Sequence, residues 1–565
     1  VSVPWLVGRT RNDVDCVDMT PADVDDVAAR AEAVSVAAYR LIQHRFSAAP
    51  GFSAIRRDSN ALAGFLGIDL TGMAQAESGR ALGEHIADCY IAYGLTDNAN
   101  ESQGYANTFY EPVNPPLQPE EPGNPDIVDL SRWQPLTLST AIDQAGNVVD
   151  DTPSFLGAEW GIVTPFALSP ADLTIYNAGE DEFWVYHDPV PPPLADGSEA
   201  DLYRWAFSLV AVWGAHLDPA DGVMIDISPA SVGNIASYPA TYADYDQFYD
   251  LFDGGDPSPG HVTNPVTGGP YSPQIVPRGD YGRVLAEFWA DGPESETPPG
   301  HWFVIANTVN EHPLMERRFE GMGAPLDRLD WDILTYFMLG GAMHDSAIAA
   351  WGIKGYYDYI RPVSALRALA DLGQSSDDTA ASYHEEGIPL IDDYIELVAE
   401  GDPLAGEDNE HVGKIKFYSW RGPDYIGEDG EPAGVGWILA EHWWPYQRPS
   451  FVTPPFAGFV SGHSTYSRAA AEVLTALTGD PFFPGGMSGF EAPQDEFLVF
   501  ERGPSMDITL QWATYRDAAD QCSLSRIWGG IHPPVDDIPG RVIGEQVGTA
   551  AYARAVSYID GTAAD

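Results

Sequence analysis

Cysteine is nearly absent: Cys16, Cys89 and Cys522 are the only three in 565 residues. With no CxxC pair, neither a zinc site nor a disulfide scaffold is expected. A Cys16–Cys89 bridge stays open, because spacing alone cannot establish it. Basic residues are also scarce, 28 against 84 acidic ones, for a net charge of −56. Nucleic acid and anionic membrane surfaces are repelled by such a surface and are excluded as partners. No apolar run reaches the roughly 18 residues a membrane span needs, so no transmembrane helix is expected. From Val1 onward there is no basic segment followed by an apolar one, so no secretory signal is expected within this sequence. The acidic residues are spread along the chain rather than gathered in a tail, which suits a surface solvated at high salt. The expected setting is secreted or periplasmic, in a saline or marine source. The GxGxxG, GxxxxGK[ST] and HExxH patterns are missing, as is any repeat at solenoid periods. The turn-rich stretch Asp253 to Gly260 lacks the ligand spacing of an EF-hand loop.

What the chain does have is apolar mass, 44 % hydrophobic with 16 Trp, 27 Tyr and 23 Phe to anchor a large core. Periodicity and cap signals predict helices over 20–48, 78–93, 198–217, 242–252, 329–352, 389–400, 465–477 and 537–559. Proline crowds 112–125 and recurs at 189–193, which reads as extended connectors. The expected class is all-α, in two halves: an N-terminal helical half over 1–275 with the Pro-rich connectors, and a C-terminal half over 276–565 carrying the site. The acidic, loop-rich stretch 373–455 is read as a lid or rim.

Three segments of the second half carry unusual polar chemistry. WGIKGYYDYIRP sets Lys354 and Arg361 seven residues apart, on one face if a helix spans both. Pro362 biases Arg361 out of the helical region, ending such a helix and aiming the guanidinium from its boundary. FVSGHSTYS sets Ser461, Gly462 and His463 at the mouth of an alanine-rich helix, where backbone N–H groups favour an anion. SRIWGGIHPPVD sets Arg526 before His532, with Asp536 four residues further on. Taken alone, each segment also fits surface cations, a helix-entry turn or a core histidine. Together they supply three fixed cations, a hydroxyl, a glycine N–H and two histidines, the set a tetrahedral oxyanion needs.

The pattern Lys-x6-Arg-Pro, Ser-Gly-His, Ser-Arg-x5-His-x3-Asp resembles the shared signature of vanadium-dependent haloperoxidases and type-2 phosphatidic acid phosphatases. The long chain, with Trp351 and Phe456 at aromatic positions, is similar to bacterial haloperoxidases. One departure is Val460, where proline commonly precedes Ser-Gly-His. The resemblance implies two four-helix bundles per subunit and a vanadate cofactor. Its oxygens would be held by Lys354, Arg361, Ser461, Gly462 and Arg526. His532 would be the protein ligand to vanadium and His463 the acid–base group, with Trp351, Phe456, Asp291 and Asp536 around them. It further implies hydrogen peroxide, halide (iodide or bromide, with chloride less expected) and a small organic nucleophile as reactants. A homodimer stays open. The alternative reading is a phosphatase of the same superfamily acting through a phosphohistidine at His532.

Overall fold

Helix α7, Arg328–Tyr357, is the longest element among the described residues, and the helices Gly462–Thr478 and Pro534–Ile559 pack against it. Asp327 caps its start by accepting from the Asp330 N–H. Asp358 ends it in the left-handed region at φ 49°, its N–H closing on the Lys354 carbonyl. The computed structural model describes residues 26–71, 74, 78–143, 146–255, 258–290 and 295–563.

Among these residues the other helices are α1 (Val27–Arg45), α2 (Phe52–Phe65), α3 (Gly79–Gly94), α4 (Ala200–Trp213), α5 (Arg278–Phe288), α6 (Pro298–Glu311), α8 (Pro362–Leu372), α9 (Gly462–Thr478), α10 (Tyr515–Trp528) and α11 (Pro534–Ile559). The chain is mostly helical, 41 % helix, as the sequence predicts. α1 packs on α3, while α9 packs on α11, α10 and α7. Contact between α9 and α11 is close because Gly540, Gly544 and Gly548 recur every fourth residue along one face of α11. A Cβ at Gly544 would stand 2.5 Å from the Thr465 carbonyl, so backbone meets backbone there.

Several expectations need correction. Residues 389–400 are not helical. They contain β1 (Ile395–Leu397), which pairs antiparallel with β2 (Ile415–Trp420) and through it with β3 (Val435–Leu439). Ladder hydrogen bonds and burial on β2 override the local helical spacing. Between the two Pro-rich connectors lies an antiparallel hairpin, Leu173–Ala178 with Asp181–Tyr186. The 242–252 helix reduces to a short 3₁₀ segment, Tyr242–Gln247. The TPPGHW segment, read as a loop, opens α6, where Thr297 caps the helix and proline sits in its first turn. The 20–48 helix is seen as α1, and residues 20–25 lie outside the described residues. Cys16 also lies outside them, and Cys522 is buried. Among the described residues no helix is long and apolar enough to cross a membrane.

Candidate active site

Five helix ends deliver the motif residues to one buried place. Lys354 is in the last turn of α7. Arg361, extended at φ −97° and ψ 154° before Pro362, is the N-cap of α8. The two therefore do not share a helix face, because α7 ends at Asp358; the boundary position expected for Arg361 is the one observed. Ser461 is the N-cap of α9, and Gly462 and His463 begin that helix. Arg526 closes α10, whose start is fixed by a Thr514–Asp517 capping box. Gly530, at φ 76°, then turns the chain, and Pro533-Pro534 launch α11, which leaves His532 in the bend and Asp536 in the first turn.

All of these side chains are buried. Lys354 Nζ donates to the Ala457 and Gly458 carbonyls at 2.8 and 2.7 Å. Arg361 donates through Nε to the Phe456 carbonyl and through Nη1 to the Ile531 carbonyl, both at 2.9 Å. The same Nη1 lies 3.0 Å from His532 Nε2. A guanidinium can only donate, so Nε2 presents its lone pair and the proton sits on Nδ1, 2.7 Å from Asp536 Oδ2. Burial, then Arg361, Lys354, Arg526 and His463, hold the His532 pKa well below its ordinary value, so the ring is neutral at neutral pH. That all four groups act on His532 places them around it. Burial pushes the Asp536 carboxyl up to about 8, against the pull of Lys354 and Arg361.

His463 Nε2 and Arg526 Nη1 both meet the Trp289 carbonyl, each at 2.9 Å. Aromatic walls complete the site. The Phe456 ring centroid is 5.2 Å from Lys354 Nζ and 5.3 Å from Arg361 Cζ. The Trp351 ring is 4.8 Å from that of Phe456, and its indole N–H is tied to the Leu156 carbonyl. Phe456 also borders a cavity of about 570 Å³ lined with apolar residues such as Leu138, Val149 and Pro454.

Of the residues singled out in the sequence, Lys354, Arg361, Ser461, Gly462, His463, Arg526, His532, Asp536, Trp351 and Phe456 come together; Asp291 lies outside the described residues. Sequence reasoning missed two supports. The Trp289 carbonyl is a backbone atom and has no residue signature. Asp537 accepts from Ser464 Oγ at 2.8 Å and pairs with Arg541, which also binds Asp520. Only the four-residue spacing of Asp537 and Arg541 could have been read from the chain.

The donor set fits vanadate, a tetrahedral oxyanion. It offers fixed cations, a helix start and one neutral imidazole nitrogen whose tautomer is set by its neighbours.

Residues 334–561 match the family model described as the VCPO second helical-bundle domain. No curated protein matches the chain. Among solved structures, an apo-type bacterial vanadium-dependent chloroperoxidase is similar at 16 % identity and TM-score 0.57, over 94 % of this chain and 84 % of that one. The holo-type counterpart is similar at 17 % identity and TM-score 0.56, over 94 % and 83 %. The fold is thus that of the vanadium haloperoxidases, a protein class built on helical bundles. The resemblance read from the three motifs, to a vanadium-dependent haloperoxidase of bacterial type, is borne out by that fold and by the domain match.

Proposed function

We propose that this protein binds vanadate and uses hydrogen peroxide to oxidise halide, iodide and bromide first, to a hypohalous species that halogenates small organic nucleophiles. The C-terminal half, residues 276–565, carries the chemistry. The observation that bears most weight is the neutral His532, whose Nε2 lone pair faces Arg361 inside a group of buried cations. In this reading His532 is the protein ligand, and Lys354, Arg361, Ser461, Gly462 and Arg526 hold the anion's oxygens. Bound vanadate supplies a Lewis-acid centre for activating peroxide. Asp536 keeps the His532 proton on Nδ1, and His463 moves protons at Nε2 once its bond to the Trp289 carbonyl yields. Trp351 and Phe456 exclude water, which strengthens the cations' field. The cavity beyond Phe456 has room for an organic nucleophile.

Reconstitution tests this. Apoprotein incubated with orthovanadate is expected to oxidise iodide and bromide with peroxide, and prior phosphate to block that recovery. Turnover of phosphate esters at full rate, with no response to vanadate, would instead identify a phosphatase with His532 as nucleophile.

Phe456→His places a titrating ring beside two cations and in a buried wall, so its pKa should fall below the ordinary histidine value. The pH profile of iodide oxidation is then expected to change on its acid side, while vanadate affinity changes less. An unaltered profile with vanadium bound would remove Phe456 from the pocket.

A further inference from the structure

A second cavity, of about 680 Å³, lies far from the anion site. It is bounded by the end of α1, by α3, by the segment after α3 and by the middle of α7. His344 on its wall is separated from Lys354 by about 15 Å along the α7 axis, at about 1.5 Å per residue. We propose that this cavity binds a small aromatic amine, the ammonium meeting Asp97 and the ring lying among Tyr90, Tyr93, Trp160 and Phe166.

Asp97 carries the assignment. Its residue is only 8 % exposed, yet it borders the cavity. Oδ1 accepts the Ala99 N–H at 2.9 Å, and among the described residues none donates to Oδ2. The nearby cation does not satisfy it, because Arg45 is paired with Glu101 and donates to the Tyr105 hydroxyl at 3.0 Å. His344 Nε2 lies 3.0 Å from the Thr164 carbonyl, which can only accept, so that nitrogen's hydrogen is spent away from Asp97. With Oδ1 held by the backbone, Oδ2 opens onto the cavity, where a ligand that brings a charged donor meets it in a charge-assisted hydrogen bond.

The walls select the rest of the ligand. Aromatic faces attract a desolvated cation and stack on a ring. Tyr90 leaves 46 % of its surface uncovered, although burial and the neighbouring Tyr558 raise its hydroxyl pKa. Part of that open surface lies on the cavity wall. The volume falls within the ~300–1,000 Å³ usual for small-molecule sites. A protein at −56 also concentrates organic cations near its surface.

Calorimetric titration of the full chain with tyramine, p-cresol and 4-hydroxyphenylacetate tests the proposal, since these share a ring and differ in charge. Tyramine is expected to bind roughly tenfold tighter than p-cresol, and the anion not measurably. Asp97→Asn should erase the preference for tyramine over p-cresol. Gly340→Phe is an independent variant: a Cβ at Gly340 meets nothing within 4 Å, so the new side chain enters open space on the cavity wall. It should block both ligands while leaving the helical circular dichroism intact. Saturating phosphate, which occupies the anion site, should not change tyramine affinity. The proposal is overturned if tyramine binds no tighter than p-cresol or not at all, if a folded Asp97→Asn keeps the preference, if Gly340→Phe binds as well as the parent, or if phosphate competes.

Discussion

Replacing His532 with alanine is expected to release vanadate almost completely, lowering affinity by more than the ~10–100-fold that loss of an outer partner costs. The reason lies in what remains. Lys354, Arg361 and Arg526 still present charge, so a phosphate or vanadate ion can still be attracted. What is gone is Nε2, the neutral nitrogen that Arg361 at 3.0 Å and Asp536 at 2.7 Å fix in one tautomer. Phosphate affinity, which needs only the cations and N–H groups, should therefore fall much less than vanadate affinity. Asp536→Asn should give the intermediate result, about 10–100-fold weaker vanadate binding, because it loosens the ring without removing the ligand atom. Equilibrium dialysis with both anions reads the difference. His532→Ala protein that retains vanadate within a few-fold of the parent would end the ligand assignment.

The candidate site was legible because its chemistry is carried by residue types that are rare in this chain. With 28 basic residues in 565, Lys354, Arg361 and Arg526 beside apolar segments stand out, and the glycine and proline around them mark helix ends. The spacing of Lys354 and Arg361 misled on one point, since the left-handed Asp358 breaks the helix between them. The Trp289 carbonyl was not legible at all. Any residue supplies a carbonyl, and this one reaches His463 from 174 residues away. The Asp520–Arg541–Asp537 chain behind the site joins α10 to α11, a pairing that only the packed fold defines.

The fold divides along the same line. α7, α9 and α11 were readable because long apolar faces and explicit caps at Asp327 and Ser461 agree with each other. Residues 389–400 have a helical rhythm too, but β2 offers Ile395 and Leu397 ladder partners at Phe417 and Ile415, and that non-local pairing wins. At Pro298 the opposite error arises. A proline pair suggests a break, yet at the first turn it costs no hydrogen bond and serves as a start.

Removing His463 should separate turnover from binding. His463→Ala leaves the three cations and His532 in place, so vanadate affinity is expected to stay within about tenfold of the parent, the loss of one charge-assisted bond. Peroxide-dependent iodide oxidation near neutral pH should drop by roughly 10²–10⁴, the range general acid–base catalysis supplies. The ring is held by the Trp289 carbonyl at 2.9 Å, the acceptor Arg526 also uses, so alanine also takes one of two donors from the carbonyl that positions that arginine. His463→Gln distinguishes the two effects. A glutamine amide can donate to the same carbonyl and keep Arg526 in register, but it cannot take up a proton near neutrality. Glutamine is therefore expected to retain vanadate better than alanine and to turn over no faster. Parallel vanadate titrations and initial rates across pH measure both quantities. Glutamine protein with parent-like rates would make His463 a positioning residue and leave proton transfer to another group.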